Sequence, residues 1–337
     1  YLNPLTHLRA AAGRVAPPGR LRVHTAGVCL PVAEGLLRRY PPDWALGPTQ
    51  WLFRRSVRRL HRRFRFDAVV TAPSHRLTGY PPPLRGVVAV LDYLDLLPDG
   101  VEAEYVRTAD RVVTVSHVLA DRVRERFGRE AAVIPNGVHP DRLKQADPAR
   151  ARARWGLAGK TVVSLIGLTC SHRLYFLDAL ARLRTEVPDL VFLGVGDGPV
   201  LAPLAARCRA LGLPHVLTGW VAPEQVADLF AASDVGLYPG DDTPYYDAAS
   251  PIKVLEYLAA RVPVVTNRVA ELVRLNLPGV TTCPATVDAF ADAIGQALTR
   301  RPTAFPDMAA YAWDTLAARF GDEIDRAITA QQPAGDV

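Results

Sequence analysis

Lysine is almost missing from this 337-residue chain: of 40 basic residues only Lys144, Lys160 and Lys253 are lysine. Such an arginine surplus reflects coding bias as readily as selection, so a lysine at a chemically useful position draws notice. Cysteine is scarce as well. Cys29, Cys170, Cys208 and Cys283 are scattered without any CxxC pair, which argues against a disulfide framework or a zinc site. They read as buried thiols in a reducing compartment, so a cytoplasmic location is expected. Long apolar runs are absent, and the opening residues do not resemble a secretory leader. A soluble or peripheral protein is expected on those grounds, and no nucleic-acid partner.

What is present suits a globular enzyme-sized chain. The composition is 49% hydrophobic and 22% charged, and the length suffices for two cores of ordinary domain size. Charge is unevenly placed. Residues 1–150 carry 24 basic against 14 acidic side chains, and the remainder carries 16 against 20. The basic excess includes Trp51 to Phe66, WLFRRSVRRLHRRFRF, a predicted helix with an apolar stripe among seven arginines. Such a helix can lie on anionic lipid headgroups, or pack its stripe on a sheet and leave the arginines in water.

Apolar runs of strand length alternate with helical stretches. Asp67–Thr71, Gly86–Leu91, Arg111–Val115 and Ala132–Ile134 read as strands, with helices at Val101–Ala109 and Val118–Phe127. From Asp141 to Gly159 the chain turns polar, and a fresh series begins at Thr161–Ile166. The pattern predicts an α/β protein with two doubly wound parallel sheets, divided near residue 150. Polar residues just past strand ends collect at one crevice in such folds. By that rule His75, Asp92, Tyr93, Asp95, Ser116, His117 and Asn136 are cleft candidates, although a polar residue there also serves as a turn or cap.

The chain is organised around Tyr245–Thr266, YYDAASPIKVLEYLAARVPVVT. Its grammar is loop, helix, strand. Ser250 suits an N-cap, Pro251 suits the first helical position, and strong helix formers follow. Free amides and the positive dipole end at such a start favour an anion. Lys253 adds a charge in the first turn, and Glu256 projects from the same face three residues on. A cation at the rim and a hydroxyl acceptor one turn deeper is the layout a nucleoside diphosphate needs. A capped surface helix with a local Lys–Glu pair is the plainer reading of the same residues. GVGDG at Gly194–Gly198 lacks the spacing of a dinucleotide fingerprint.

The set ADRVVTVS, IPNGVHPDRL, SLIG, FLGVGDGP, LTGWV, DVGLYP, SPIKVLEYLAARVPVV and YAWDTLAARF, in that order, resembles the GT-B-fold glycosyltransferases of the large retaining group called family 4. The likeness runs from about Asp67 to the end. It implies two Rossmann-like domains facing across a cleft and a last helix crossing back. The expected division is 1–150 acceptor side, 151–312 donor-binding, and 313–337 crossover helix and tail. The family opens with a strand and a glycine-rich loop, which nothing before Leu21 matches, so the first strand is expected to be missing.

The resemblance implies roles position by position. Arg173 and Lys253 would neutralise the donor diphosphate, with the amides of Ser250 to Ile252. Leu168 stands where an arginine is usual. Glu256 would hold the ribose, and Gly219, Trp220 and Val221 would face the base. Ala248 replaces the family's other glutamate, with Asp247 adjacent and one residue out of register. Arg261 replaces a helix-ending glycine. Asp92 and Asp247 are the catalytic candidates. Asp92 would be a general base if the reaction inverts; if it retains, leaving-group contacts carry more of the work. No metal and no cofactor is expected, Asp241-Asp242 reading as a solvated turn. The expected partners are a nucleotide sugar and a small-molecule or lipid-linked acceptor, with peripheral contact to anionic membrane through Trp51–Phe66. An epimerase on the same scaffold, or a degenerate nucleotide-binding homologue, are the other classes.

Overall fold

The computed structural model describes residues 43–73, 83–168, 174–240 and 243–331. These fall into a smaller unit, residues 43–69 with 83–87, and a larger one, residues 70–73 with 88–331. The smaller unit is dominated by α1 (Asp43–Phe64), which starts eight residues before the predicted Trp51 and stops at Phe64. Arg65 ends it with φ 52°, and the Phe66 N–H donates to His61 Nδ1 at 3.2 Å. Within α1, Val57 is buried while Trp51 is 58% exposed, with the Arg55 guanidinium 5.4 Å from its ring centre.

The first sheet has four strands in the order β1 (Ala68–Thr71), β2 (Val88–Tyr93), β3 (Arg111–Thr114), β4 (Ala132–Val133). β2 and β4 flank β3 in parallel, Tyr93 lying opposite Thr114 and Thr114 opposite Val133. Helix α2 (Asp99–Thr108) returns from β2 and α3 (His117–Phe127) from β3. α3 has local reasons at both ends. Ser116 caps it by accepting the Leu119 N–H, and Gly128 closes it at φ 63°, a left-handed position that glycine takes without Cβ strain. Two short helices, α4 (Pro140–Lys144) and α5 (Pro148–Arg154), each opened by a proline, lead out of this half.

The second sheet is built from β5 (Thr161–Ile166), β6 (Leu190–Val195), β7 (His215–Leu217), β8 (Val235–Tyr238), β9 (Val264–Asn267) and β10 (Val280–Cys283). Every pairing is parallel, and the spatial order is β7-β6-β5-β8-β9-β10. The direction of winding therefore reverses between β5 and β8, the place where such sheets leave a crevice beyond their strand ends. Successive residues of β5 face opposite layers: Val163 and Leu165 join a core with α6 (Tyr175–Leu183), α7 (Leu201–Ala210) and α12 (Val287–Thr299). Val162 and Ile166 join the other core, with α8 (Pro223–Ala231), α10 (Ile252–Ala259) and α11 (Ala270–Leu275). A one-turn helix, α9 (Pro244–Asp247), precedes α10.

A 3₁₀ turn at Met308–Tyr311 leads to α13 (Trp313–Gln331), which packs on β2 and β3 of the first sheet. Arg111 Nε bonds Glu323 at 2.7 Å, and Arg319 bonds the Val133 carbonyl at 2.9 Å. The two crossings touch: Val138 N–H donates to Tyr311 O at 2.9 Å, and Trp313 N–H to Val138 O at 3.2 Å. Gly137 makes room there, since a Cβ would sit 2.7 Å from the Trp313 ring. Arg261 takes the left-handed turn at φ 58° after α10, and its guanidinium lies 5.1 Å from the Phe305 ring centre, a contact that offsets the strain. Among the described residues no helix is long and apolar enough to cross a membrane.

Candidate nucleotide-binding site

Helix α10 is locked over the switch point by Tyr257. Its ring takes the space a side chain on Gly236 would need: a Cβ there would lie 2.5 Å from the ring. The buried hydroxyl donates to Ser164 O at 3.0 Å, accepts the Ile166 N–H at 3.1 Å and lies 2.9 Å from Ser164 Oγ. Phe230 meets the ring edge-on, centroids 4.7 Å apart. Strands β5 and β8 thus fix the helix that the sequence marks as organising.

The helix begins one residue later than expected. Pro251, not Ser250, is the N-cap, and no side chain caps the first turn among the described residues. Val254 is the first residue whose N–H bonds back to Pro251 O, at 3.1 Å. The amides of Ile252 and Lys253 therefore stand at an uncapped, positively polarised end. The Lys253 stem lies along Gly167, whose φ of +87° and missing Cβ admit it: a Cβ would sit 3.2 Å from Lys253 Cε. Nζ rests 2.7 Å from Glu256 Oε2 and 5.5 Å from the centre of the Phe230 ring. Cation and carboxylate are both half-exposed and satisfy each other, so the plainer reading of the Lys–Glu spacing and the functional one occupy the same atoms.

Three loops close around this point. Gly196, at φ +128°, lets the β6 loop approach the β5 loop, since a Cβ would lie 3.0 Å from Leu168 N. Its N–H donates to Gly219 O at 3.1 Å, which brings in the β7 loop. There Trp220 is 72% exposed and Val221 is half-buried. Leu168 is buried among core residues, so the usual arginine position is spent on packing here. A cavity of about 130 Å³ beside Glu256 is lined by Arg142, Phe230, Ile252 and Trp313 among others.

The first half reaches the start of α10 by hydrogen bonds. Ser116, fully buried, donates from Oγ to the Ala248 carbonyl at 2.7 Å. Asn136 makes two bonds to Ser250. His117 Nδ1 lies 2.8 Å from the buried Glu271, whose other oxygen accepts the Val118 N–H at 3.1 Å. Ser116 and Asn136 are thus brought to the site, against its backbone. Tyr93 is not: it is fully buried, and its hydroxyl donates to Glu102 at 2.7 Å within an ion network holding Arg122 and Arg126. Asp92, at the end of β2, is half-buried with no hydrogen-bond partner among the described residues, and burial raises its carboxyl from 3.8 to about 6. Asp247 accepts the Ala270 N–H at 2.9 Å and so serves the start of α11.

His75, Arg173, Cys29, Cys170 and Asp241-Asp242 lie outside the described residues. Cys208 and Cys283 are buried thiols, each pushed up to about 11 by burial. No cluster of three metal-ligating side chains occurs among the described residues. Sequence reasoning missed Tyr257 and Gly236; the signal was a glycine inside a strand, which often marks a close approach. Glu271 left no such signal.

Two parallel-sheet α/β halves with a returning last helix define the class: this is a GT-B fold. A structure of a glycosyltransferase from Rickettsia africae overlays with a TM-score of 0.65 at 13% identity, covering 85% of this chain and 84% of that one. The Anabaena protein HepE, solved with UDP-glucose, overlays at 0.53 and 21% identity, covering 72% and 71%. Residues 163–300, from β5 to the end of α12, match the family of glycosyl transferases group 1. A GDP-mannose-dependent alpha-(1-6)-phosphatidylinositol monomannoside mannosyltransferase of Mycolicibacterium smegmatis is 32% identical over 212 residues, which are 56% of this chain and 53% of that protein. The chain spans about half the length of the curated relatives it matches.

Proposed function

We propose that this protein is a metal-independent glycosyltransferase, of the family 4 type, moving a sugar from a nucleotide-diphosphate donor to a hydroxyl acceptor. The observation that carries the reading is Lys253 and Glu256 on one face of the uncapped start of α10, over the switch point of the second sheet. The diphosphate sits at that start, on the Ile252 and Lys253 amides, with Lys253 swinging from Glu256 to phosphate and Arg173 adding a second cation. Glu256, released, accepts from the ribose hydroxyls. Gly219 to Val221 face the base, and the exposed Trp220 ring offers it a stacking surface. These cations and amides stabilise the charge that develops on the leaving diphosphate.

In this reading residues 1–150 serve the acceptor, 151–312 the donor, and 313–337 cross back. If the transfer inverts, Asp92 is the general base: a carboxyl raised to about 6 is mostly ionised at neutrality and takes up an acceptor proton. Asp247, engaged with Ala270, positions the loop before α10. A UDP-sugar is the donor we favour, because a fold neighbour was solved with UDP-glucose. The exposed Trp51 and the arginines of α1 add peripheral contact with an anionic membrane, which suits a lipid-linked acceptor. Changing Arg58, Arg59, Arg62 and Arg63 to glutamine abolishes binding to anionic vesicles on this account; unchanged binding removes the membrane contact.

Calorimetry with UDP, GDP, TDP and ADP, with and without EDTA, tests the donor site. Binding of one diphosphate that survives chelation supports the reading and names the base. Binding of none favours a degenerate scaffold.

A further inference from the structure

Asn136, in the loop after β4, touches α10 from the other half of the fold. Its backbone N–H donates to Ser250 Oγ at 3.0 Å, and its side-chain Nδ2 donates to the Ser250 carbonyl at 2.9 Å. Both bonds are part-buried and join residues 114 positions apart. Ser250 is thereby clamped at two atoms. Its hydroxyl oxygen accepts from a fixed backbone donor, and the hydroxyl proton of this part-buried serine has no acceptor among the described residues, so it is available to solvent or to a ligand. Pro251, with its ring-fixed φ of −78°, links the clamped Ser250 carbonyl rigidly to the first helical amide. The Asn136 loop is itself fixed, because the next residue, Gly137, lies against the Trp313 ring.

We propose that Asn136 is a positioning residue for the donor diphosphate: it holds Ser250 so that the serine hydroxyl donates to a phosphate oxygen beside the Ile252 and Lys253 amides. The inference rests on reading the start of α10 as the diphosphate site. It takes Asn136 away from the acceptor and makes it the means by which the first half completes a site on the second. The chemical recognition is of an anionic phosphate group, so the bare nucleoside gains nothing from the clamp.

Calorimetry with UDP and GDP, each against its nucleoside, and thermal unfolding in parallel test this on Asn136→Ala, Ser250→Ala, their double variant and Lys253→Ala. Asn136→Ala and Ser250→Ala are each expected to weaken diphosphate binding about tenfold, the loss of one hydrogen bond to a charged group. Nucleoside binding stays as it was. The double variant falls short of the product of the two single effects, because Asn136 acts through Ser250. Diphosphate affinity unchanged in Asn136→Ala with only a lowered unfolding temperature makes the contact a structural tie and overturns the inference, as does full multiplication of the two effects. Ser250→Ala keeps the Asn136 Nδ2 bond to the residue-250 carbonyl and loses only the bond from the Asn136 backbone N–H, so it decides the case if Asn136→Ala does not fold: full affinity there overturns the inference too. Loss of binding in Lys253→Ala beside full affinity in Ser250→Ala leaves the donor site standing and removes the clamp. Full affinity in Lys253→Ala removes both.

Discussion

The two parallel sheets reach the same crevice by different means. In the second, β6 is buried along all six residues and β5 along five, and their apolar side chains fill a core on each face. In the first, β4 has two residues, both half-buried, and β1 has four with none fully buried. The second half presents a platform: Tyr257 bolts α10 to β5 and β8 through hydrogen bonds and close packing. The first half presents polar tips, Ser116, His117 and Asn136, that end on carbonyls or carboxylates of the other. Packing makes the second half's geometry stiff, because dense interiors deform little. Hydrogen bonds between the halves make their meeting directional and adjustable.

The sharpest break of that contrast is Gly236→Ala. The added Cβ meets the Tyr257 ring at 2.5 Å inside β8, where neither strand nor ring can yield. Overpacking of this kind costs about 1–3 kcal/mol or more, and the account expects a much lower unfolding temperature together with lost nucleotide binding. A fully stable Gly236→Ala would mean that α10 is not anchored as described. Tyr257→Phe is milder. It keeps the ring but leaves the Ile166 N–H buried without its partner, an expected loss of about 1–3 kcal/mol in denaturant unfolding.

Asp92→Asn probes the first half and gives the smallest change in stability. The folded carboxyl titrates at about 6 against 3.8 in the open, so it is neutral in both states at the acid end and carries a desolvated charge only when folded at higher pH. Wild-type stability therefore falls relative to the asparagine variant as pH rises from about 4 through 6, by on the order of 1 kcal/mol for this half-buried group. Thermal melts across that window check the sign; a wild-type stability that holds or rises relative to the variant between about pH 4 and 6 contradicts it. Turnover of the variant is expected to collapse if Asp92 is the acid–base group, and wild-type kcat/KM to rise with a break near 6.

The contrast also explains what the sequence made legible. Runs such as Thr161–Ile166 and Leu190–Leu193 are apolar enough to announce a buried parallel sheet; the first appears at those bounds and the second runs two residues further, to Val195. β9 starts at Val264, just past Pro263, which has no N–H to give to the ladder. α1 extends back to Asp43 through Gly47-Pro48, a pair that reads locally as a break. Lys253 and Glu256 were legible because helical periodicity alone places them on one face. Ser250 was expected to cap α10 from its residue type; the structure spends its hydroxyl on Asn136 instead. Contacts between residues more than a hundred positions apart, such as Ser116 with Ala248 or His117 with Glu271, leave no local pattern to read. Tyr93 shows the converse error. Its place at a strand end suggested the cleft, while its side chain turns into the fold to serve Glu102.

The central claim is that the start of α10 holds the donor diphosphate, and calorimetry on Lys253→Ala and Glu256→Ala tests it most directly. The account predicts that both variants keep the parent unfolding temperature, since the pair is half-exposed. It predicts that nucleoside diphosphate affinity falls about tenfold or more in each, and further in Lys253→Ala, where Glu256 is left facing phosphate uncompensated. Parent-like affinity in either variant would contradict the claim and move the donor site elsewhere in the fold.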